Sequence, residues 1–279
     1  MNIVFFDDEN RDNLLPLTYT RPSVKLRLGI LTIEEKWFKY LGGKGTASYI
    51  TADYLSAKFP LKEEKDNLYI NGSVCPNADL SQEIKALEPG EALLKDELLI
   101  ACRASQFPED LEQDIAANEY AGSMVYLEGP HSLFSYNASE LDLDFDLITA
   151  GRTSAPISDT NTILGDRFFA EEGAKAECAV FNTKSGAIYL GADSEVMEGS
   201  VIRGALALGA HSTLKLATKI YGATTIGPHC KVGGEVNNCV IIGYSNKGHD
   251  GFLGNSVIGE WCNIGADSNN SNLKNNYEE

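Results

Sequence analysis

The sequence predicts an α/β domain followed by an all-β domain that is built as a left-handed parallel β-helix. Over the first 150 residues, short apolar runs alternate with segments of helical periodicity, which is typical of the α/β class. From residue 190 onward, an aliphatic residue recurs at every sixth position. A six-residue period fits neither a helix nor one long strand, and it is typical of short strands that are stacked and joined by corners.

The N-terminal domain is predicted to span residues 1–150. The apolar run at residues 3–6 predicts its first strand, and Thr32 with Glu35 forms a capping-box pattern that predicts the start of a helix. This helix is predicted to end near residue 41. Further apolar runs predict strands at residues 49–51, 68–70 and 125–127. Two more helices are predicted at residues 80–87 and 111–118.

A linker is predicted at residues 151–185, because an acidic stretch at residues 140–146 is followed there by a segment rich in Gly, Ser, Thr, Pro and Asp. The β-helix is predicted to follow at residues 186–279. Its aliphatic ladder consists of Leu190, Val196, Ile202, Leu208, Leu214, Ile220, Ile226 and Val232. The residue four positions after each of these is nearly always small or β-branched, which suits an inward position beside a corner. Three hexads then make one coil of a triangular solenoid.

Composition and charge exclude several classes of protein. The formal net charge of −17 leaves no basic stripe for a phosphate backbone, so nucleic acid is excluded as a partner. No apolar stretch is long enough to span a membrane, and the short apolar N terminus does not match a signal peptide. The six cysteines form no CxxC pair, which argues against a zinc site and a disulfide framework. These features predict a cytoplasmic protein with reduced thiols.

The hexad period breaks at residues 235–251, which predicts an excursion from the solenoid that carries function. His249 lies in this segment between Gly248 and Asp250, in a sequence typical of a tight loop. An imidazole on such a loop suits a general base near neutral pH, and a surface histidine without a catalytic role fits the same pattern. The Asn-rich stretch at residues 269–276 is predicted to be mainly structural, because asparagines stack as ladders in solenoids.

The neighbourhood of His249 resembles a known family in its motifs and their spacing. The chain contains, in this order, Gly248-His249, Phe252-Leu253-Gly254, Ile258-Gly259, Asn263-Ile264-Gly265-Ala266 and Asn272. The acetyltransferase half of the bifunctional glucosamine-1-phosphate acetyltransferase/N-acetylglucosamine-1-phosphate uridylyltransferase family has GHxxYLG, IG, NIGAGT and CN, which this order resembles. The resemblance covers about thirty residues of the chain.

The resemblance implies a specific chemistry for this segment. His249 would remove a proton from the amine of glucosamine 1-phosphate as the amine attacks the thioester of acetyl-CoA. Asn263 and Asn272 would hold the sugar phosphate, and Ala266 would lie near the acyl donor.

Three further residues belong to the sugar-phosphate site by the same resemblance. Lys231 and Lys247 would replace the paired lysines that precede the family's catalytic histidine, and Phe252 stands where the family has a tyrosine. The family also implies a homotrimer with acyl-CoA sites between subunits. Its solenoid has further C-terminal coils, so a shorter solenoid is predicted here.

Residues 11–29, RDNLLPLTYTRPSVKLRLG, resemble the LxPLTxTRPKPL segment of sugar-1-phosphate nucleotidyltransferases. The resemblance implies a Rossmann-like, nucleotidyltransferase-like domain in which Arg21 and Lys25 bind the phosphates of a nucleoside triphosphate, with Mg²⁺ as the cofactor. Asp7, Asp8, Glu9 and Asn10 stand where that family has a glycine-rich phosphate loop, and Ser73 stands where it has a magnesium-binding Asp.

The sequence leaves three hypotheses for the function. The first is acetyl transfer from acetyl-CoA to an amino-sugar 1-phosphate by the β-helix, together with nucleotidyl transfer in the N-terminal domain. The second is uridylyl or thymidylyl transfer to a sugar 1-phosphate by the N-terminal domain, with the β-helix serving only for assembly. The third is a non-enzymatic trimeric scaffold.

Overall fold

A computed structural model describes residues 2–43, 47–108, 115–270 and 272. The described residues divide into two compact units. Unit 1 holds the chain up to Leu26 and the segment Leu31–Pro130, and unit 2 holds Arg27–Ile30 and the chain from His131 onward. Within the described ranges, no helix has both the length and the apolar character that crossing a membrane requires.

Unit 1 is built on a six-stranded sheet with the strand order β2-β1-β3-β6-β5-β7, and a separate two-stranded sheet pairs β4 with β8. The strands are β1 (Asn2–Phe6), β2 (Ser48–Ile50), β3 (Asn67–Asn71), β4 (Val74–Cys75), β5 (Glu91–Lys95), β6 (Leu98–Ala104), β7 (Ala116–Glu119) and β8 (Val125–Tyr126). β1 is parallel to both of its neighbours, whereas β6 is antiparallel to β3 and β5. The predicted α/β class is therefore confirmed, with a mixed sheet.

Two α-helices in unit 1 lie where the sequence predicts them, α1 at Ile33–Leu41 and α2 at Ala78–Ala86. The Thr32 hydroxyl accepts from the Glu35 backbone N–H at 3.2 Å, and the Glu35 carboxylate accepts from the Thr32 N–H at 2.7 Å. This is the predicted capping box, and it satisfies two N–H groups at the start of α1 that have no partner within the helix. The described part of unit 1 also contains four short 3₁₀ helices, at Glu9–Leu14, Leu17–Thr20, Ser23–Lys25 and Asp53–Leu55.

The sequence did not predict the β5–β6 hairpin, and it predicted a helix where β7 lies. The hairpin turns through Asp96 and Glu97, which both have positive φ. Asn-Gly or Asp-Gly is the usual sequence of such a turn, so the local signal is weak here. Of the predicted helix at 111–118, residues 111–114 lie outside the described residues, and Ala116–Glu119 pair with β5 as a parallel strand. Pairing with the edge of the sheet therefore outweighs a weak helical pattern.

Unit 2 contains helices α3 (Pro130–Ser135) and α4 (Asn137–Thr149), followed by a parallel solenoid. The acidic stretch at residues 140–146 lies within α4. The solenoid strands are β9 (Thr162–Leu164), β10 (Phe168–Ala170), β11 (Lys175–Ala176), β12 (Val180–Asn182), β13 (Ile188–Leu190), β14 (Glu195–Val196), β15 (Val201–Arg203), β16 (Leu206–Leu208), β17 (Thr213–Leu214), β18 (Lys219–Tyr221), β19 (Thr224–Ile226), β20 (Lys231–Val232), β21 (Glu235–Asn237), β22 (Val240–Gly243), β23 (Asn246–Lys247), β24 (Phe252–Gly254) and β25 (Val257–Glu260).

Successive solenoid strands fall in turn into three parallel sheets, so each coil contributes one strand to each side. The first sheet holds β10, β13, β16, β19, β22 and β25, the second holds β11, β14, β17, β20 and β23, and the third holds β9, β12, β15, β18, β21 and β24. This arrangement confirms the predicted parallel β-helix, which has about six turns.

The aliphatic ladder forms the core of the solenoid. All eight predicted ladder residues are at most 1% exposed, and equivalent residues of successive coils pair in register, as Leu190, Leu208 and Ile226 do. Burial of one such side chain contributes roughly 1.5–3 kcal/mol of hydrophobic free energy. The buried aliphatic residue that recurs at every sixth position is therefore the main determinant of the fold of unit 2.

The solenoid begins earlier than predicted, because β9 to β12 all lie inside the segment 151–185 that the sequence predicts as a linker. The polar residues of this segment form corners and do not form a flexible connection. The Asn161 side chain, for example, donates to the Ala176 carbonyl at 2.7 Å and accepts from the Ala179 N–H at 2.9 Å. Corner residues and linker residues have similar compositions, which explains the difference.

The predicted excursion at residues 235–251 is also wrong, because β21, β22 and β23 occupy this segment and stack in register on the preceding coil. The hexad period breaks there because the corners become shorter. The ladder residues Leu208 and Ile226 are paired across 18 residues, whereas Ile226 and Ile241 are paired across only 15. His249 therefore lies on a corner of a continuous solenoid.

Gly29 provides a test of the packing in unit 2. Its φ is +76°, and a Cβ added there would lie 2.6 Å from the Asp144 carboxylate and 2.7 Å from the Glu140 carbonyl oxygen. Gly151 has a similar φ of +70° but open space around it. We expect Gly151→Ala to lower the free energy of unfolding by about 1–2 kcal/mol, because a left-handed backbone is unfavourable for alanine. Gly29→Ala is expected to lower the free energy of unfolding by about 1–3 kcal/mol more, because its Cβ would also lie too close to Asp144 and Glu140.

Urea unfolding of the two glycine variants, followed by circular dichroism, measures this difference. Equal losses of free energy of unfolding would contradict the close packing of Gly29 against α4.

Candidate functional site

The polar residues of unit 1 converge where the order of the parallel strands reverses. β1 lies between β2 and β3, and the chain passes from β1 to β2 on one side before it returns to β3 on the other. Ligands of open α/β sheets bind outside the carboxyl ends of strands at such a reversal. The side chains at this edge are Asp7, Asp8, Arg11, Thr51, Asn71 and Tyr126, which we call the carboxyl-edge site.

Asp8 is held in one orientation by donors from three parts of the chain. Its Oδ2 accepts from the Asn71 amide and from the Tyr126 hydroxyl, each at 2.8 Å, and its Oδ1 accepts from the Asn10 N–H at 3.1 Å. Burial of the Tyr126 phenol, and then its hydrogen bond to Asp8, raise the pKa of Tyr126. Tyr126 therefore stays protonated and keeps donating to the carboxylate.

Asp7 ties two neighbouring segments to the end of β1. Its Oδ1 accepts from the Ser23 N–H at 2.8 Å, and its Oδ2 accepts from the Thr51 hydroxyl at 2.5 Å. The Asp7 carboxylate is only 4% exposed and lies 3.3 Å from Nε of Arg11. This carboxylate therefore acts mainly as a structural anchor for the site.

Arg11 presents a fixed positive charge to the same edge. Its Nη2 donates to the Thr18 carbonyl at 2.6 Å and to the Tyr54 hydroxyl at 2.8 Å, and its guanidinium lies 5.7 Å from the centre of the Tyr54 ring. A cavity of about 280 Å³ opens beside it. The residues lining this cavity are Asp7, Asp8, Glu9, Arg11, Asp12, Ile50, Thr51 and Ala52.

The donor set of this cavity fits Mg²⁺ when the ion is shared with a phosphorylated substrate. Mg²⁺ is usually bound by one or two carboxylates, with water and substrate phosphates as its other ligands. Among the described residues, the Asp8 Oδ1 atom accepts one hydrogen bond, so it keeps a lone pair for a metal ion. Among the described residues, no group of three or more His, Cys, Asp or Glu side chains is placed to enclose a metal ion. Most ligands would therefore come from substrate and water.

The segment that carries Arg21 and Lys25 reaches this edge through the Ser23–Asp7 hydrogen bond. Arg21 is half-buried, and its Nη2 lies 3.3 Å from the Thr20 hydroxyl. Lys25 forms an ion pair of 2.7 Å with Glu34 and lies 5.3 Å from the centre of the Tyr49 ring. The Lys25 charge is therefore already partly neutralised.

Ser73, which the sequence resemblance matches to a magnesium-binding Asp, is fully buried. Its hydroxyl has no hydrogen-bond partner among the described residues, and its N–H donates to the Asn71 side chain at 2.9 Å. Sequence reasoning did not identify Asp8, Asn71 or Tyr126 as site residues. The available signal was the pair of acidic residues directly after the first strand, whereas Tyr126 carries no local signal.

In unit 2, His249 is exposed on the corner between β23 and β24. It borders a cavity of about 240 Å³ whose lining residues are Lys215, Leu216, Gly233, Gly234, Gly248, His249 and Asp250. In the next coil, the Asp267 N–H donates to the Asp250 carbonyl at 3.0 Å, which brings the exposed residue Ala266 to the same edge of the solenoid. We call this the His249 edge.

Lys247 has a structural position, in contrast to the substrate contact that the sequence predicts. It pairs in register with Val232, so it replaces an aliphatic residue of the ladder, and it is only 3% exposed. Its ammonium donates to the carbonyls of Gly233 at 2.8 Å, His249 at 3.1 Å and Gly251 at 2.8 Å. Burial lowers the pKa of Lys247. All three of its N–H donors are thus used inside the solenoid.

The other predicted residues of the acetyl-transfer site lie on the last coils. Lys231 is exposed and in register with Asn246, whose amide donates to the Asn263 side chain at 2.8 Å. Phe252 is half-buried at the start of β24. The side-chain Oδ1 of Asn272 lies beside Gly254, where an added Cβ would approach it to 2.6 Å.

The Asn-rich stretch has the structural role that its composition predicts, at the two positions where hydrogen bonds are described. The Asn269 side chain accepts from the Phe252 N–H at 2.7 Å. The Asn270 side chain accepts from the Gly254 N–H at 2.8 Å and donates to the Gly254 carbonyl at 2.8 Å. Both asparagines therefore continue the ladder of the solenoid.

Comparison with known proteins adds a finding for the N-terminal part of the chain. A family model described as sugar nucleotidyl transferase matches residues 3–153. No curated protein matches the chain. The matched segment contains every residue of the carboxyl-edge site.

Proposed function

Because the chain belongs to the sugar nucleotidyl transferase family, we propose that unit 1 transfers a nucleotidyl group from a nucleoside triphosphate to a sugar 1-phosphate at the carboxyl-edge site. The observation that carries the proposal is the fixed Asp8 carboxylate beside the fixed Arg11 guanidinium at the strand reversal. Opposite charges in the lining of one cavity suit a metal–triphosphate complex, because the carboxylate can bind the metal and the guanidinium can bind a phosphate.

The reaction needs little covalent chemistry from the protein. A phosphate oxygen of the sugar 1-phosphate forms a bond to the α-phosphorus, and the bond between this phosphorus and the bridging oxygen to the β-phosphate breaks. Pyrophosphate leaves with the electron pair. Mg²⁺, when bound, would neutralise negative charge on the phosphates. Catalysis then depends on positioning and on charge stabilisation.

The residues of unit 1 would divide this work. Asp8 would hold the metal, and Asn71 and Tyr126 would keep its carboxylate oriented through their hydrogen bonds. Arg11 would contact a phosphate oxygen through the part of its guanidinium that faces the cavity. Arg21 and Lys25 would add positive charge from the segment that Ser23 attaches to Asp7.

Release of pyrophosphate tests this proposal. The full chain is incubated with Mg²⁺, uridine or thymidine triphosphate, and glucose 1-phosphate or N-acetylglucosamine 1-phosphate. We expect pyrophosphate and a nucleotide sugar in equal amounts, and only when sugar phosphate and Mg²⁺ are both present. The proposal would be refuted if the triphosphate were hydrolysed without formation of a nucleotide sugar. It would also be refuted if no combination of triphosphate and sugar phosphate reacted, in the forward or the reverse direction.

A second function is proposed for unit 2, acetyl transfer from acetyl-CoA to an amino-sugar 1-phosphate. It is supported by the exposed His249 beside the cavity of about 240 Å³. His249 would accept a proton from the sugar amine while the amine nitrogen bonds to the thioester carbon. The carbon–sulfur bond then breaks with its electron pair going to sulfur, and the proton that His249 accepted passes to the sulfur, so CoA leaves as the thiol. Asn263, Asn272, Phe252 and Lys231 would bind the sugar phosphate, and Ala266 would lie near the acyl donor.

Substitution of His249 by Ala is expected to lower the release of CoA thiol from acetyl-CoA, in the presence of glucosamine 1-phosphate, by about 10²–10⁴-fold, the usual contribution of a general base. His211→Ala is the matched control, because His211 is an exposed histidine on a different corner. Light scattering on the same samples measures whether the chain forms the homotrimer that shared acyl-CoA sites require. Full thiol release by folded His249→Ala protein would refute the role of this base.

A further inference from the structure

Unit 2 contains a larger cavity that neither proposed reaction uses. Its volume is about 780 Å³, and its lining has no residue in common with the carboxyl-edge site or with the cavity at the His249 edge. Outward-facing residues of β15, β18 and β21 line it, together with Ala138 and Asp142 of α4. Cavities of 300–1,000 Å³ with a mainly apolar lining are typical of sites for small organic ligands.

Two cations face this cavity, Arg203 on β15 and Lys219 on β18. Val201 on β15 is in register with Lys219 on the neighbouring strand β18, and Arg203 is two residues after Val201 on the same strand. The Cα atoms of Arg203 and Lys219 are then about 8 Å apart by strand geometry, a distance from which both long side chains reach a single anion. In the part of the chain that the structure describes, neither side chain has an ion-pair or hydrogen-bond partner.

Two carboxylates, Asp142 and Glu235, also line the cavity. Asp142 lies 3.1 Å from the Arg167 guanidinium and accepts from the Ala187 N–H at 3.2 Å. Glu235 accepts a hydrogen bond from the Tyr221 hydroxyl but keeps its negative charge, and it is in register with Lys219. Because Asp142 is paired with Arg167, two cations and one carboxylate remain, so the charge of the cavity is still positive in a chain whose formal net charge is −17.

An apolar surface adjoins the two cations. Val201 is 46% exposed, and Ala205 and the ring of Tyr221 lie in the same lining. A guanidinium and an ammonium together suit a phosphate dianion, because the guanidinium matches two phosphate oxygens and the ammonium supplies a second positive charge. An aliphatic side chain and an aromatic ring suit the face of a sugar or a base.

From these contacts we propose that the cavity on unit 2 is a binding site for an organic phosphate with a ring. The phosphate lies at Arg203 and Lys219, and the ring lies against Val201 and Tyr221. A phosphorylated sugar and a nucleotide share this chemistry. The site goes beyond the proposed nucleotidyl and acetyl transfer, because it shares none of their residues.

Calorimetric titration of the full chain tests the proposal, with EDTA present to suppress metal-dependent binding in unit 1. The probes are glucose 1-phosphate, uridine monophosphate and inorganic phosphate. We expect one of the two organic phosphates to bind at least tenfold more tightly than inorganic phosphate, and the stronger one identifies the ligand class. If inorganic phosphate bound as tightly as glucose 1-phosphate and uridine monophosphate, the role of the ring contacts would be overturned.

Three variants locate the binding. Arg203→Gln combined with Lys219→Gln is expected to lower the affinity for the tighter-binding probe at least tenfold. Val201→Glu, which adds a negative charge at an exposed position, is expected to have an effect of the same size. Lys175→Gln combined with Lys184→Gln is the matched control, because it removes the same charge from exposed positions outside the cavity lining. The proposal is overturned if the wild-type protein binds neither organic phosphate. It is also overturned if the first two variants bind the probe as tightly as the wild type.

Asp8→Asn separates this test from the proposed nucleotidyl transfer. It is expected to bind the organic phosphate with unchanged affinity even though its transfer activity is lost. A parallel loss of binding in Asp8→Asn would place the ligand in unit 1 and overturn the second site.

Discussion

Asp8→Asn is expected to lower kcat for nucleotidyl transfer by about 10²–10³-fold, the usual loss when a fixed charge acting on the transition state is removed. The amide keeps the size of the side chain but loses the negative charge that would hold Mg²⁺. It also places an NH₂ group where a carboxylate now accepts from Asn71 and Tyr126 at 2.8 Å. The measurement is the initial rate of pyrophosphate release as a function of Mg²⁺ concentration.

Asp79→Asn is the matched control for this prediction, because Asp79 is an exposed carboxylate in the first turn of α2. Its rate is expected to equal that of the wild type. Circular dichroism shows whether both variants fold. A folded Asp8→Asn protein with the wild-type rate and the wild-type Mg²⁺ dependence would contradict the role of Asp8.

Lys247→Met is expected to lower the free energy of unfolding of unit 2 by about 3 kcal/mol, since removal of one partner leaves buried polar groups unsatisfied at about 1–3 kcal/mol each. The methionine would replace the aliphatic stem in the ladder but leave the carbonyls of Gly233 and His249 without this donor. Burial lowers the pKa of this lysine, and its ammonium donates to three carbonyls in the folded protein. Urea unfolding followed by far-ultraviolet circular dichroism measures the change, with the transitions of the two units fitted separately.

Lys231→Met makes the same chemical change at an exposed position of the same sheet, one coil away. It is expected to change the free energy of unfolding by less than about 0.5 kcal/mol, as surface substitutions usually do. Equal effects of Lys231→Met and Lys247→Met would show that the three carbonyl contacts contribute little to stability.

The architecture of unit 2 and the main elements of unit 1 follow from patterns in the amino-acid sequence. Each hexad buries one aliphatic side chain, so the period of the pattern directly reports the period of the structure. The capping box at Thr32 and Glu35 is likewise complete within four residues of chain. Patterns of this kind are local, and they predict a fold because every repeat faces the same solvent and the same core. The start of the solenoid was predicted less well, because corners and linkers share a composition.

Only the tertiary structure decided which side chains meet. Asp8 is bound by Asn71, which is 63 positions away in the chain, and by Tyr126, which is 118 positions away. The sequence resemblance assigned Lys247 to the sugar-phosphate site, but its pairing with Val232 places it in the core, where it donates to carbonyls of two coils. Arg203 and Lys219 face one cavity through the register of β15 and β18. Hydrogen bonds and ion pairs act over a few ångströms in fixed directions, so they depend on strand register and long-range pairing, which a periodic pattern does not encode.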